Sequence, residues 1–450
     1  MTPEDGVTAR LAQYACDVQL ANLPPDVRRH GARTLLNHVG SAIGGSREPA
    51  ATCALAAVQP FSGPATSTVL GRPERLDAMY AALVNGISSH IHDFDDTHLP
   101  TIIHAGSPVV SAALAVAEWR ETSGAEFLNA MLAGIEIALR VGKTVFPEHY
   151  DRGWHITGTC GVFGAAAAAG RILGLNARQM GWALGLAAST PVGLRESFGS
   201  MNKSFNPGKA ASDGILAALL AQRDFSSSDA MIEARRGWAH TVSDKPDVDA
   251  ALRELGVDYE AARIAFKPFA CVVMLHPTID AAIQLRKDRE LSPESIAHVE
   301  VRVHPLVLEL AGKRTPRTGL QGKFSVYHAV AVAFLHGMAG PRQFTDEAVQ
   351  DIRAVNLRTK VATVVDSSLR EDQAHMFVRC QDRRQFEKFV EHAIGSIALP
   401  MSDSALEHKF RDLTHGHLPR EQSDRLLDMC WHIEEVENIS KLSKISSVIC

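Results

Sequence analysis

Apolar residues recur at helical spacing through most of the first 265 residues of the chain. This spacing first occurs from Leu11 onwards and recurs in the stretches 32–43, 79–85, 109–121, 125–141, 161–173 and 208–222. Apolar residues three and four positions apart form one side of a helix, so each stretch predicts a helix with a buried face. In 161–173 the small residues Gly161, Gly164 and Ala168 share one side, which predicts a central helix closely approached by its neighbours.

The pattern changes near residue 267. Residues 298–310 (HVEVRVHPLVLEL) alternate with period two, and residues 375–380 and 385–390 predict two strands around a polar turn. Residues 325–338 and 345–352 predict helices between them, and a helical tail follows from residue 402. Apart from a short strand at 67–70, no strand is predicted earlier. The predicted fold is therefore mainly α, with a helical part (1–265), a smaller α+β part (266–400) and C-terminal helices (401–450).

Composition indicates a soluble globular protein and excludes several classes of partner. The chain has 450 residues, of which 46% are apolar and 22% charged, and its net charge is −5. Because it has no basic run, we expect neither nucleic acid nor a membrane as a partner. No apolar run reaches the roughly 18–20 residues that span a bilayer. The start, MTPEDG, has no apolar core of a signal peptide.

The seven cysteines are widely spaced and form no CxxC motif. An odd number of scattered cysteines is typical of free thiols in a reducing compartment, so we expect a cytoplasmic location. The same spacing argues against an iron–sulfur cluster held by cysteines.

The densest group of titratable side chains lies in residues 85–108, NGISSHIHDFDDTHLPTIIHAGSP. Its histidines and aspartates are His90, His92, His98, His104, Asp93, Asp95 and Asp96. Burying so many ionisable groups is costly unless they serve a site, and imidazoles exchange protons near neutral pH. The simpler alternative is a solvated loop in which Ser107 caps the next helix and Pro108 is its first residue. A Zn or Mn site is a further alternative, because His and Asp are suitable ligands, although no HExxH spacing accompanies them.

Two further segments place polar side chains inside apolar sequence. In DRGWHITGTCGVFG, His155 precedes a helix whose amides at 158–160 predict an anion site. The segment LRESFGSMNKSFNPGKAAS holds Arg195, Lys203 and Lys209, and Lys203 has the more apolar surroundings of the two lysines. The alternative for each residue is an ordinary buried histidine or a solvated cation.

Two more such segments belong to the α+β part. In FKPFACVVMLHPTIDAA, Lys267 and His276 flank an apolar run at the boundary between the two parts, where clefts tend to form. In GKFSVYHAVAVAF, Tyr327 and His328 stand at the start of an apolar helix. All four residues have a plain alternative as surface or packing residues.

Together these segments offer histidines and lysines with almost no nucleophile. Neither a GxSxG elbow, a GxGxxG turn after a strand nor a GxxxxGK[ST] loop occurs, so no nucleotide cofactor is expected. Removing a proton next to a carboxylate builds negative charge, which lysine, arginine and helix N-termini can stabilise while histidines carry the proton. The set therefore favours proton transfer on a small polyanion.

Several motifs resemble the MmgE/PrpD family, which includes 2-methylcitrate dehydratase, cis-aconitate decarboxylase and iminodisuccinate epimerase. In chain order they are DFDDTH, HAGSPVVSAALAVAE, GWHITGTCGVFGAAAAAGRILGL, FGSMNKSFNPGKAA and KPFACVVMLHPTIDA. The resemblance covers about residues 8–400. It implies a large all-helical domain completed by the C-terminal tail, a smaller α+β lid domain and a homodimer. It also implies catalysis without a metal or an organic cofactor.

The resemblance also implies which residues form the site. By position, the family's site falls on Asp93, Thr97, His104, His155, Lys203 and Lys267, and His276 stands in a THP-like position. Two positions depart from the family: Tyr327-His328 replaces a common proline-tyrosine pair, and Asn206 replaces a common histidine. The residues expected to be catalytic are His104, His155, Lys203, His276, His328 and Tyr327. Those expected to bind substrate are Asp93, Thr97, Lys267, Lys209 and Arg195.

The function predicted from the sequence is a cofactor-independent lyase acting on a small di- or tricarboxylate. Dehydration is the first expectation, decarboxylation the second, and epimerisation of a dicarboxylate the third. Two alternatives from other classes remain: a metal-dependent enzyme that uses the His/Asp cluster, and a non-catalytic carboxylate-binding protein on the same fold.

Overall fold

The computed structural model describes residues 6–289 and 291–447, and helices make up most of its first 265 residues. They are α1 (Val7–Asp17), α2 (Pro25–Gly45), α3 (Pro49–Val58), α4 (Ala78–His90), α5 (Gly106–Trp119), α6 (Gly124–Lys143), α7 (Glu148–Asp151), α8 (Ile156–Ile172), α9 (Ala177–Ala187), α10 (Asn202–Gln222) and α11 (Trp238–Val242). Every stretch that predicted a helix here overlaps one of them, so these predictions are confirmed. None of the described helices is both long and apolar enough to cross a bilayer.

Close helix packing depends on glycine in this part. A Cβ on Gly164 would lie 2.4 Å from the carbonyl oxygen of Gly134, and one on Gly86 would lie 2.6 Å from Cα of Gly208. Helices α6 and α8, and likewise α4 and α10, therefore touch backbone to backbone. The small-residue face predicted on α8 is confirmed. The contact between α4 and α10 matters for function, because each helix carries a side chain of the candidate site near one end.

Two predicted helix starts are wrong. Helix α5 begins at Gly106, so Ser107 lies inside its first turn and is not the N-cap. Its hydroxyl instead contacts Ser89 Oγ at 2.6 Å and Asp95 Oδ2 at 3.2 Å. Helix α10 begins at Asn202 rather than 208, because Pro207 is tolerated in its second turn.

The α+β part is a four-stranded sheet with helices around it. Its strands are β5 (Ile296–Val303), β6 (Val361–Val365), β7 (Ala374–Cys380) and β8 (Gln385–Val390), in the order β6-β5-β7-β8. Strands β5 and β6 are parallel, and the other neighbours are antiparallel. The helices are α12 (His276–Asp288), α13 (Pro305–Ala311), α14 (Gly319–Gly322), α15 (Val326–His336), α16 (Asp346–Gln350) and α17 (Ile352–Arg358). The fold is therefore a large helical part with a smaller α+β part, as predicted.

The sheet corrects two details of the sequence prediction. The strand predicted over 298–310 ends at Val303, and its second half is helix α13. Pro305 lacks the amide proton that a strand ladder needs and is well suited to the first turn of a helix. Strand β6, with the sequence VATVV, had not been predicted, because so short an apolar run does not show a clear alternation.

Two small ladders lie outside the large sheet. Strand β1 (Ser67–Thr68) pairs with β2 (Arg75–Leu76), and β3 (Asp96–His98) pairs antiparallel with β4 (Ile264–Phe266). The strand predicted at 67–70 is thus present but shorter. The second ladder joins the aspartate-rich segment to the boundary between the two parts, with Asp96 opposite Phe266.

The C-terminal helices return to the helical part. They are α18 (Asp403–Thr414), α19 (Arg420–Trp431) and α20 (Ser440–Ser446), and the first two pack against α2. Arg29 and Arg33 of α2 form ion pairs with Asp403 at the start of α18. Near the end of the chain, Ser440–Ser446 are thus helical, and the last residues, 448–450, lie outside the described residues.

Candidate active site

Asp93 lies at the centre of a buried group of charged side chains. Its Oδ1 accepts a hydrogen bond from Lys267 Nζ at 2.5 Å, and its Oδ2 lies 3.0 Å from Lys203 Nζ. All three residues are buried. Asp93 follows α4 with a φ of 51°, Lys203 is the second residue of α10, and Lys267 directly follows β4. The α4–α10 contact and the β3–β4 ladder therefore bring together residues that are far apart in sequence.

The charges of this group support one another. Burial alone would raise the pKa of the Asp93 carboxyl, but Lys203 and Lys267 outweigh it and hold that pKa well below its ordinary value. Burial lowers the pKa of Lys203, whereas Asp93 and Asp95 more than offset burial at Lys267 and raise its pKa. Two ammonium groups share one carboxylate here. Asp93, Lys203 and Lys267 together therefore keep a positive charge that can attract an anion.

Three imidazoles lie beside these charges. The ring of His90 is 5.0 Å from that of His104 and 5.7 Å from that of His155, measured between centroids. Burial, helped by Lys267, lowers the pKa of His104 to about 3. Burial, helped by the neighbouring His90, holds the pKa of His155 well below its ordinary value. Both rings are therefore neutral near pH 7.

Hydrogen bonds orient two of these rings. Nδ1 of His104 lies 2.7 Å from the carbonyl oxygen of Asp96 and 3.1 Å from Thr97 Oγ1. Because a carbonyl oxygen only accepts, Nδ1 of His104 carries the proton and Nε2 holds the lone pair. His90 donates from Nδ1 to Asp95 Oδ2 at 2.6 Å, and its Nε2 is buried without a partner among the described residues. Each ring therefore keeps a basic nitrogen that is not used by the fold.

A narrow cavity adjoins the group, and Lys323 is one of its walls. Other lining residues are His90, Asp93, Lys203, Ser200 and Phe324. Lys323 Nζ donates to the carbonyl oxygens of His92 at 2.7 Å and Ala270 at 3.0 Å, and burial lowers its pKa to about 8. It supplies a third cation that sequence reasoning missed, since nothing in GKFSV distinguishes it from a surface lysine.

Lys409 was also missed, and it comes from the C-terminal helix α18. Its Nζ donates to the carbonyl oxygens of Phe94 at 2.5 Å and Lys267 at 2.8 Å, and lies 3.8 Å from the centre of the Phe94 ring. It thus ties together the two segments that carry Asp93 and Lys267. A signal existed in the sequence, because Lys409 falls on the apolar stripe of α18 with Leu406 and Leu413.

Four predicted site residues make their contacts outside the Asp93 group. The side chain of Lys209 is 40% exposed and pairs with Asp213 one turn along α10. Arg195 pairs with Glu309 at 2.9 Å and stacks on Tyr150. Two more bond within the α+β part: Tyr327 Oη to Thr363 Oγ1, and His328 Nε2 to the carbonyl oxygen of Gln343, both at 2.9 Å. We therefore assign none of the four a role in the reaction proposed below.

His276 is placed differently from those four. It is buried edge-on against Phe269, with ring centroids 5.3 Å apart, and its Nε2 has no partner among the described residues. Burial, helped by Lys267, lowers the pKa of His276 to about 3. Its involvement in the chemistry stays a prediction.

The anion site predicted at residues 158–160 is not formed. The amides of Gly158 and Thr159 already donate to the carbonyl oxygen of His155, at 3.0 and 3.3 Å, because α8 begins at Ile156. As for metals, residues 6–289 and 291–447 contain no group of three or more His, Cys, Asp or Glu side chains placed to hold an ion. Within the cluster, lysines pair with Asp93 where a cation would otherwise bind.

Comparison with known proteins covers nearly the whole chain. The MmgE/PrpD N-terminal domain matches residues 9–251, and the MmgE/PrpD C-terminal domain matches residues 269–433. Cis-aconitate decarboxylase of Aspergillus terreus is 24% identical, over 98% of this chain and 96% of its own length. Cis-aconitate decarboxylase of Homo sapiens is 25% identical, over 98% and 94%. 2-Methylcitrate dehydratase of Salmonella typhimurium is 24% identical, over 88% and 87%.

Proposed function

This chain belongs to the MmgE/PrpD family, and from that membership we propose that it is a lyase that decarboxylates a small unsaturated tricarboxylate, with cis-aconitate as the first candidate. The observation that carries the proposal is the buried group in which Lys203 and Lys267 share Asp93 beside three imidazoles. Relatives named as a decarboxylase and as a dehydratase support an enzyme of the lyase class. Decarboxylation comes first because the decarboxylases match more of this chain.

Substrate binding uses the lysines. A tricarboxylate brings three negative charges to a cavity bordered by Lys203 and Lys323, with Lys267 directly behind Asp93. Its carboxylates accept charge-assisted hydrogen bonds from the ammonium groups that otherwise pair with Asp93. Phe198 and Phe324, whose rings lie 5.5 and 5.7 Å from Lys203 Nζ, exclude water from one side. In such a dry site these contacts are stronger than in water.

The chemical step needs one proton. The bond between the methylene carbon and its carboxylate breaks and CO₂ leaves. Its electron pair forms a new double bond to the central carbon, and the electrons of the old double bond capture a proton at the far carbon. Atoms and charge balance when one proton enters for each CO₂ released. The negative charge of the bound acid raises the pKa of the imidazoles, so His104 takes up this proton at Nε2 and delivers it.

Dehydration of 2-methylcitrate is the second candidate. The observation that favours it is the presence of two imidazoles, His104 and His155, whose ring centroids lie 5.0 and 5.7 Å from that of His90. Dehydration requires a base for the proton on carbon and a donor for the departing hydroxyl group, and two imidazoles can supply both. A lone proton donor would suffice for decarboxylation.

The experiment is a proton NMR assay of the purified protein with cis-aconitate, 2-methylcitrate, citrate and iminodisuccinate. Decarboxylation of cis-aconitate replaces one vinyl signal by two vinylidene signals, and dehydration of 2-methylcitrate creates new unsaturated product. His104→Gln is the inactive comparison, and Asp229→Asn, at an exposed position, is the control for substitution itself. Binding of a tricarboxylate without turnover of any of the four acids would overturn the proposal in favour of a carboxylate-binding protein.

A further inference from the structure

A chain of hydrogen bonds runs from a backbone carbonyl to His155. The hydroxyl of Ser197 lies 2.6 Å from the carbonyl oxygen of Leu194. A carbonyl oxygen only accepts, so the single proton of that hydroxyl is committed to Leu194. Any other polar group that contacts Ser197 Oγ at hydrogen-bond distance must therefore donate to it.

The next member of the chain is Asn206. Its Nδ2 lies 3.3 Å from Ser197 Oγ and 2.9 Å from Nδ1 of His155. Because Ser197 Oγ accepts, the end of Asn206 that faces it must be the amide NH₂ group rather than the carbonyl oxygen. That group has two protons, one for Ser197 and one for His155. Nδ1 of His155 is then an acceptor, and the proton of the neutral ring is on Nε2.

We infer that Asn206, held by Ser197, is a positioning residue that keeps His155 as the Nε2–H tautomer. His104 is kept in the opposite tautomer, since the carbonyl of Asp96 requires the proton on Nδ1. The two imidazoles therefore offer a lone pair at Nε2 of His104 and a proton at Nε2 of His155. Both assignments trace back to backbone carbonyls, which cannot change their role as acceptors.

The packing around this pair holds it in place. His155 and Asn206 are each 2% exposed, so bulk water does not compete for their hydrogen bond. Gly193 has a φ of 117°, and a Cβ there would lie 2.9 Å from Cγ of Asn206 and 3.0 Å from Cβ of His155. The amide of His155 donates to the carbonyl oxygen of Gly193 at 3.0 Å. The loop therefore fits closely around both side chains.

The role of the His155 tautomer in the reaction rests on the proposed function. A neutral imidazole with its proton on Nε2 donates a hydrogen bond to negative charge on the substrate but does not remove a proton. His104, with its lone pair on Nε2, is the ring that can take up and deliver a proton. Asn206 therefore separates a hydrogen-bond donor from a proton carrier, although both are histidines of similar burial.

The test reads the tautomer directly, without activity. The protein labelled with ¹⁵N in its histidine rings is examined by long-range ¹H–¹⁵N correlation, and the signals of His155 are assigned by their loss in His155→Gln. The wild type is expected to show a protonated Nε2 and a bare Nδ1 at His155. In Asn206→Asp the new carboxylate accepts from Nδ1, so Nδ1 is expected to gain a proton. Asn129→Asp, at a buried amide elsewhere, should leave His155 unchanged.

The outcomes separate this inference from the proposed reaction. A wild-type His155 protonated on Nδ1, or an unchanged ring in Asn206→Asp, would overturn the role of Asn206, and the wild-type spectrum decides this even if the variant does not fold. If the tautomer changes as expected, kcat should fall by about 10²–10⁴-fold with a smaller change in KM. If the wild type turns over no carboxylate, the proposed function fails while the tautomer result stands.

Discussion

Replacing Asp93 by asparagine should lower the free energy of unfolding by about 3–5 kcal/mol at pH 7. Asparagine has nearly the same volume, so the change removes charge rather than packing. It leaves two buried ammonium groups without the carboxylate that they share. Removing one partner of a buried ion pair typically costs about 3–5 kcal/mol. The alternative is to neutralise one lysine, and removing a proton from a lysine of pKa about 10.4 costs about 4.6 kcal/mol at pH 7.

The loss of unfolding free energy in Asp93→Asn should also depend on pH in a defined direction. The folded-state pKa of Asp93 is well below its ordinary value, so its contribution to wild-type stability is present above about pH 4 and is lost only in more acidic solution. In Asp93→Asn a lysine without its partner has a folded-state pKa below its unfolded value. The unfolded variant then binds more protons, and its stability rises with pH. The difference between variant and wild type should therefore shrink from pH 7 to pH 9.

The assay is urea unfolding followed by tryptophan fluorescence at both pH values. Asp229→Asn, an exposed position, is the matched control and should stay within about 0.5 kcal/mol of the wild type. The reasoning is refuted if Asp93→Asn behaves like this control. It is also refuted if the loss is as large at pH 9 as at pH 7.

Three further predictions concern the reaction and the site. His104→Gln and His155→Gln should lower kcat by about 10²–10⁴-fold with little change in KM, whereas Lys203→Ala should raise KM as well. If steady-state kinetics give His155→Gln a near-normal kcat, His155 is a structural core residue and takes no part in the reaction. A bound tricarboxylate should slow hydrogen exchange in residues 90–104 and 267–276 together, because both border one site, and protection of a single range would argue against a shared site. Activity should survive prolonged treatment with EDTA. Elemental analysis that finds a stoichiometric metal whose removal abolishes activity would support the metal-dependent alternative.

Much of the fold could be predicted, because the spacing of apolar residues along the chain indicates which face of a helix or strand is buried. The apolar stretches of the helical part overlap its helices, and residues 375–380 and 385–390 fall in strands. The errors lie where local rules compete. Pro305 turns the end of an alternating run into helix α13, and helix α10 begins at Asn202 although the apolar stretch that predicted it starts only at residue 208. Strand β6 forms because it pairs with β5, a tertiary contact that its own five residues do not show.

The candidate site was predicted unevenly. The structure brings Asp93, Lys203 and Lys267 into direct contact, and these were among the residues named from the sequence. Lys323 and Lys409 were not, because a lysine becomes a site residue only through neighbours that lie far away in sequence. The roles of the individual residues likewise depend on hydrogen bonds between residues that are far apart in sequence.

We propose that His104 of this chain adds a proton to a tricarboxylate held by buried lysines while CO₂ is lost. The most direct measurement is the reaction with cis-aconitate in D₂O, followed by proton NMR. We expect two vinylidene protons and a product methylene that carries one deuterium from solvent, formed by the wild type and at least about 100-fold more slowly by His104→Gln. Unchanged cis-aconitate, or a product whose methylene contains no deuterium, would contradict it.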